Sequence, residues 1–108
     1  MNYKINIKPL SVNQAFKGTK IRTHKYNSFI KHCLLQLPES IEFIDKENIK
    51  LAIEFGFSSK LSDIDNCLKT FIDCLVKKYG VDDRYIQELH VFKTIVKKEC
   101  EYIKFKIY

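Results

Sequence analysis

Residues 48–80 read NIKLAIEFGFSSKLSDIDNCLKTFIDCLVKKYG, and the fold turns on a change of period inside them. From Asn48 to Phe57 the apolar residues Leu51, Ile53, Phe55 and Phe57 alternate with their neighbours, so one face of a strand is apolar. From about Asp65 to Tyr79 the spacing becomes helical. Leu68, Phe71, Ile72, Leu75 and Tyr79 form a stripe along one side, and Gly80 is a natural stop just past the end.

The elements on either side follow from the same test. Tyr3, Ile5 and Ile7 alternate with polar residues and predict a half-buried strand, which Pro9 ends. Ser11–Thr23 is polar and basic, contains Gly18, and reads as an exposed loop. Between about Lys25 and Leu37, apolar Tyr26, Phe29, Ile30, Cys33, Leu34 and Leu37 recur at helical spacing, and Pro38 stops them. Ile86–Val96 and Glu101–Ile107 read as two strands joined by a short turn around Lys97–Cys100. The order strand-helix-strand-helix-strand-strand predicts an α+β fold with two helices packed on a small mixed sheet. Repeats, low-complexity tracts and linker-like segments are missing from the sequence, so residues 1–108 are expected to form one domain.

With 45% hydrophobic and 30% charged residues, the composition is that of a globular chain and argues against disorder. No apolar run approaches the roughly 20 residues that cross a bilayer, and Met1–Leu10 has no signal-peptide core. A cytoplasmic protein with no membrane partner is the expectation. Cys33, Cys67, Cys74 and Cys100 form no C-x-x-C pair, and His24, His32 and His90 complete no zinc-ligand spacing, so the cysteines read as reduced, mostly buried thiols.

The formal charge of +6 is unevenly spread. Residues 1–38 hold Lys4, Lys8, Lys17, Lys20, Arg22, Lys25 and Lys31 and no Asp or Glu, while the remainder is close to neutral. A one-sided basic segment suits a polyphosphate partner, because each cation near a phosphate releases counterions. A solvated basic face gives the same pattern.

The chemistry is concentrated in Ser62-Asp63-Ile64-Asp65-Asn66-Cys67-Leu68-Lys69. Asp63 or Asp65 could simply cap the helix, but capping needs only one of them. Asp82-Asp83 forms a second acidic pair, which could be no more than a turn after Gly80. The helix puts the two pairs at its opposite ends. They meet only if the chain beyond Gly80 doubles back beside the first pair. Carboxylates about 4 Å apart repel by about 4 kcal/mol at an effective dielectric of 20. Converging aspartates would therefore need a cation or a shared proton, and their oxygens suit Mg²⁺. Lys69, one turn after Asp65, reads either as its surface ion-pair partner or as a cation beside a phosphate.

These residues also carry a family resemblance. Asp63-Ile64-Asp65-Asn66 with Lys69, then Asp73, Asp82-Asp83 and Lys93, is similar to the signature of RusA-type crossover-junction endodeoxyribonucleases. Pro9-Leu10-Ser11-Val12-Asn13 resembles that family's Pro-Pro-Ser-x-Asn segment, with Leu10 in place of the second Pro, and is followed by a basic loop, Thr23 and Tyr26. The resemblance extends from about Ile7 to Lys93. It implies a homodimeric, Mg²⁺-dependent endonuclease that resolves four-way Holliday junctions by paired symmetric nicks, in DNA recombination and repair. Carried over by position, Asp63, Asp65 and Asp83 would bind the metal and Lys69 would be the essential lysine. Asn13, Lys17, Lys20, Arg22 and Lys25 are the candidate DNA contacts, and His24 and His32 read as surface residues able to reach a phosphate. A nuclease for flaps or forks, or a non-catalytic DNA-binding protein, are the alternatives.

Overall fold

The computed structural model describes residues 2–17 and 21–108. Lys20 lies outside the described residues, as do the side chains of Asn13 and Lys17. The strands are β1 (Asn2–Ile5), β2 (Phe16–Lys17), β3 (Ile21–Arg22), β4 (Ile49–Phe57), β5 (Ile86–Ile95) and β6 (Tyr102–Ile107). The helices are α1 (Val12–Ala15), α2 (His24–Gln36) and α3 (Ile64–Tyr79), with a 3₁₀ turn at Asp83–Tyr85. The architecture is the expected α+β one.

The main sheet has the order β1-β6-β4-β5. β5 lies parallel to β4, whereas β6 is antiparallel to both β4 and β1. A parallel pair requires a crossover, which α3 supplies between β4 and β5. The turn near Lys97–Cys100 does not fold β6 back onto β5. It carries the chain past the end of β4, where Val96 N–H donates to the Phe57 carbonyl at 2.7 Å, and Cys100 N–H closes the turn on Lys97. Alternation in β5 and β6 marks both as strands, but it carries no information about which neighbour each will take.

Both main helices cover the face formed by the odd-numbered residues of β4. Phe71 of α3 meets Phe55 edge-on at 6.5 Å between ring centroids and Phe105 at 5.3 Å, and Tyr3 stacks on Phe105 at 5.1 Å. Two polar ties fix the outer ends of the helices. Gln36 and Asn6 exchange two hydrogen bonds of 3.0 Å, anchoring α2 to the exit of β1. Just past the same end of α2, the Tyr79 hydroxyl at the end of α3 donates to the Pro38 carbonyl at 2.6 Å. α3 stops at Gly80, whose φ of 66° is the left-handed C-cap conformation and whose N–H reaches the Val76 carbonyl.

The stretch Ser11–Thr23 departs from the exposed-loop reading. It contains the single turn α1 and a small hairpin of β2 with β3. Ser11 starts the turn, its hydroxyl accepting from Gln14 N–H at 3.3 Å, and Ala15 is fully buried. A turn held by one serine and one alanine is too short to leave a periodic signal.

Candidate active site

The site is built around the start of α3. Asp63 occupies the N-cap position, with φ −95° and ψ 134°, yet its carboxylate makes no capping hydrogen bond. It instead accepts from the Asn66 side-chain amide at 3.3 Å. Helix capping therefore does not account for this aspartate. Asp65 lies in the first turn, while Lys77 and Lys78 lie in the last, so both ends suit the helix dipole. The paired negative charge is felt in the core behind it. Burial, reinforced by Asp63 and Asp65, pushes the Cys67 thiol up to about 11.

The loop ahead of Asp63 is held from the neighbouring strand. Lys93 of β5 donates through Nζ to the Ser62 carbonyl at 2.9 Å and to the Lys60 carbonyl at 3.3 Å. From the other side, the buried Thr70 hydroxyl donates to the Leu10 carbonyl at 2.6 Å, which ties the Pro9-Leu10-Ser11 segment to α3. In the sequence, Lys93 is marked only by its place in the signature. Its two contacts depend on the parallel register that sets Lys93 beside Phe55, which no local pattern reveals.

Two hollows flank the helix start. The first, of about 400 Å³, is mixed in character, with Lys8, Ser11, Gln14, Ser62, Asp63 and Asn66 beside Pro9, Phe57 and Leu61 in its lining. The second, of about 330 Å³, is a groove between α3 and β5. Asp65, Lys69, Asp73 and Asp83 form its charged lining, with Leu68, Ile72, Ile86 and Leu89 as its apolar wall. Asp65, in the first turn of α3, and Asp83, beyond its last, thus line the same groove as Lys69 without being brought together, and Asp63 faces the other hollow. Among the described residues, no three His, Cys, Asp or Glu side chains are grouped closely enough to hold a metal ion within one chain. The donor chemistry still suits Mg²⁺, because Asp63, Asp65 and Asp83 are exposed carboxylates with no ion pair among the described residues.

The neighbouring charges are committed elsewhere. Lys69 pairs with Asp73, not Asp65, at 3.9 Å and with its side chain 64% exposed, a geometry worth little stability. Asp73 Oδ2 also accepts from the buried Tyr26 hydroxyl at 3.4 Å, and burial followed by the Asp73 charge raises the Tyr26 pKa. Asp82 is clamped by Arg84, whose guanidinium donates to both carboxylate oxygens at 2.7–3.1 Å and holds the Asp82 pKa low. Asp83, the other member of the pair, has no ion pair among the described residues. Arg22 and Lys25, among the candidate DNA contacts, are exposed, and Arg22 lies over the Tyr26 ring at 5.1 Å.

No curated protein matches the chain. The model of one protein family does, described as endodeoxyribonuclease RusA and matched over residues 8–107. That span takes in the Pro9–Asn13 segment, both acidic pairs, Lys69 and Lys93. The chain belongs to the RusA family of endodeoxyribonucleases.

Proposed function

We propose that this endodeoxyribonuclease acts as a Mg²⁺-dependent homodimer that resolves four-way DNA junctions by paired nicks, serving DNA recombination and repair. The observation that carries the reading is the relation between β5 and the acidic pairs. β5 is an edge strand of 10 residues, and Leu89, Phe92 and Ile95 on it are 36–56% exposed. A long edge strand with unpaired backbone groups is a template for pairing with another chain. Asp83 lies just before the start of β5, while the loop leading to Asp63 is held by Lys93 near its end. Ile86 and Lys93 are about 23 Å apart along the strand at about 3.3 Å per residue. Two-fold antiparallel pairing of β5 with its copy would bring each chain's Asp83 toward the partner's Asp63 and Asp65. Each composite site would then hold three carboxylates.

Bound there, Mg²⁺ would activate a water for attack and offset negative charge on the scissile phosphate. The protein groups do the rest. Lys69, exposed on the groove, stabilises charge that grows on the phosphate oxygens. Lys93 fixes the approach of Asp63. Arg84 keeps Asp82 out of the metal shell. Asn13, Lys17, Lys20, Arg22 and Lys25 lie in the segment without acids and hold backbone phosphates, which offsets the repulsion between an acidic site and DNA. The junction is approximately two-fold symmetric, and a dimer supplies one site for each of two cuts.

The test is single-turnover cleavage of labelled four-way, three-way, flap and linear duplex DNA, with and without Mg²⁺. Junction cutting that requires Mg²⁺ is expected, and equal cutting of flaps would move the substrate assignment. Asp65→Asn should keep junction binding and abolish cleavage. Lys69→Ala should slow cleavage about 10²–10³-fold. A Lys69→Ala enzyme within about threefold of the parent would remove this residue from the chemistry, since a surface ion pair with Asp73 is worth only a few tenths of a kcal/mol.

A further inference from the structure

A third hollow, of about 450 Å³, lies between the Ile7–Leu10 segment and the first turns of α2. Its volume falls in the range of about 300–1,000 Å³ that small ligands occupy. Pro9, Leu10 and Phe29 give it an apolar floor, and all three are buried. Lys8, His24, Lys25 and His32 form its rim, and all four are exposed. No Asp or Glu is among the described residues that line it. Ser28 Oγ lies 3.5 Å from His32 Nδ1, which leaves the other ring nitrogen for an outside partner. The first turn of α2 has no acidic residue, so its positive dipole end adds to the rim.

An apolar floor under a cationic rim matches a base and its phosphate, in the way single strands bind on stacking platforms inside basic grooves. The position identifies the source. Lys8, Pro9 and Gln14 line both this hollow and the one that contains Asp63, so the two share a wall. We propose that the hollow bounded by Phe29, Lys25 and His32 is a subsite for one unstacked nucleotide of the DNA strand that passes Asp63, with its base on the Pro9–Phe29 floor and its phosphate on the rim. The inference rests on the nuclease reading above for the identity of the strand. The pocket chemistry stands independently of it.

The test uses four-way junctions carrying 2-aminopurine at successive positions of the cut strand, bound to an inert Asp65→Asn protein. The same protein with His24→Ala, Lys25→Ala and His32→Ala added is the comparison. These three side chains are exposed, and matching urea midpoints would show that the fold is kept. Fluorescence is expected to rise severalfold at one position near the crossover, and only when the rim is intact. The rim variant should bind the junction about tenfold more weakly. Its salt dependence should be shallower by about 0.7 log units per lost single-strand phosphate contact. No rise at any position, or an equal loss of affinity for linear duplex, would overturn the proposal and leave an ordinary phosphate contact. A second measurement is needed if the protein binds no DNA, since the nuclease reading would then fail by itself. In an NMR titration, thymidine 5′-monophosphate should shift the Phe29 ring and Leu10 methyl signals, and inorganic phosphate should not. Equal shifts with both, or none with either, would rule out a base on the floor.

Discussion

β4 and β5 are parallel neighbours with similar apolar content and opposite fates. In β4, Ile49, Leu51, Ile53, Phe55 and Phe57 are all buried. In β5 no residue is fully buried, and Leu89, Phe92 and Ile95 are exposed. The difference comes from position. β4 has a strand on each side and helices above it, whereas β5 forms the margin of the sheet and α3 only partly overhangs it. The same chemistry serves as core in one strand and as an unfinished surface in the next, and the acidic pairs lie against the two ends of the unfinished one.

Substitutions of matched size sharpen this contrast. Phe55→Ala should cost about 3–5 kcal/mol of stability, the range for a large buried ring. Phe92→Ala, at 56% exposure, should cost less than about 1 kcal/mol in the separated chain, yet weaken its self-association. Urea unfolding, with sedimentation over a range of concentrations, measures both. Similar losses of stability at the two positions would erase the distinction between core and interface.

A smaller effect is expected where β5 reaches the loop ahead of Asp63. Lys93→Met keeps most of the side-chain stem and removes the two hydrogen bonds to the Ser62 and Lys60 carbonyls. Freed of them, the loop should hold Asp63 less accurately. Single-turnover cleavage should fall about 10- to 100-fold with junction affinity unchanged. Stability should change by less than about 1 kcal/mol, because the residue is exposed. Lys93→Arg should recover part of the rate. A parallel loss of affinity would instead make Lys93 a DNA contact.

The smallest effect concerns the opposite face of the same strands. Glu54 of β4 accepts hydrogen bonds from Tyr102 and, at 3.0 Å, from Thr94 of β5. The tyrosine ring needs Gly56 beneath it, since a Cβ there would lie 2.5 Å from the ring. The Tyr102 bond, followed by that of Thr94, lowers the Glu54 pKa below its ordinary 4.5. A depressed carboxylate contributes stability that is present above its unfolded pKa and is lost as pH falls through the folded one. Glu54→Gln should therefore flatten the acid limb of the stability curve below about pH 4.5, with little change near neutrality. An unchanged acid limb would show that this contact contributes nothing.

How much of this could be read from the sequence depended on the range of the interaction. The changes of period at Asn48–Phe57 and Asp65–Tyr79 gave β4 and α3 within one residue at each end, because burial of one face dominates in both. The one-turn α1 was missed because Ser11 and Ala15 act without a repeat. The parallel register of β4 with β5 leaves no local mark, so neither the Lys93 contacts nor the exposure of β5 could be anticipated. The acidic motif was visible as chemistry, but its geometry was not. Asp63 and Asp65 face different hollows, and Lys69 pairs with Asp73. Side-chain direction at a helix start depends on what packs around it, and here that comes from β5 and the Leu10 segment.

Mixed dimers distinguish a site that takes Asp63 and Asp65 from one chain and Asp83 from the other, as proposed, from a site built within one chain. Asp65→Asn and Asp83→Asn proteins should each be inactive alone. Mixed and allowed to exchange subunits, they should form heterodimers in which one site has lost both groups and the other is intact. Nicking of a single strand of the junction should then return, at up to about half of the parent activity per heterodimer. If all three carboxylates of a site came from one chain, every site in the mixture would lack one of them. A mixture that forms heterodimers and binds junctions but nicks neither strand would contradict the account.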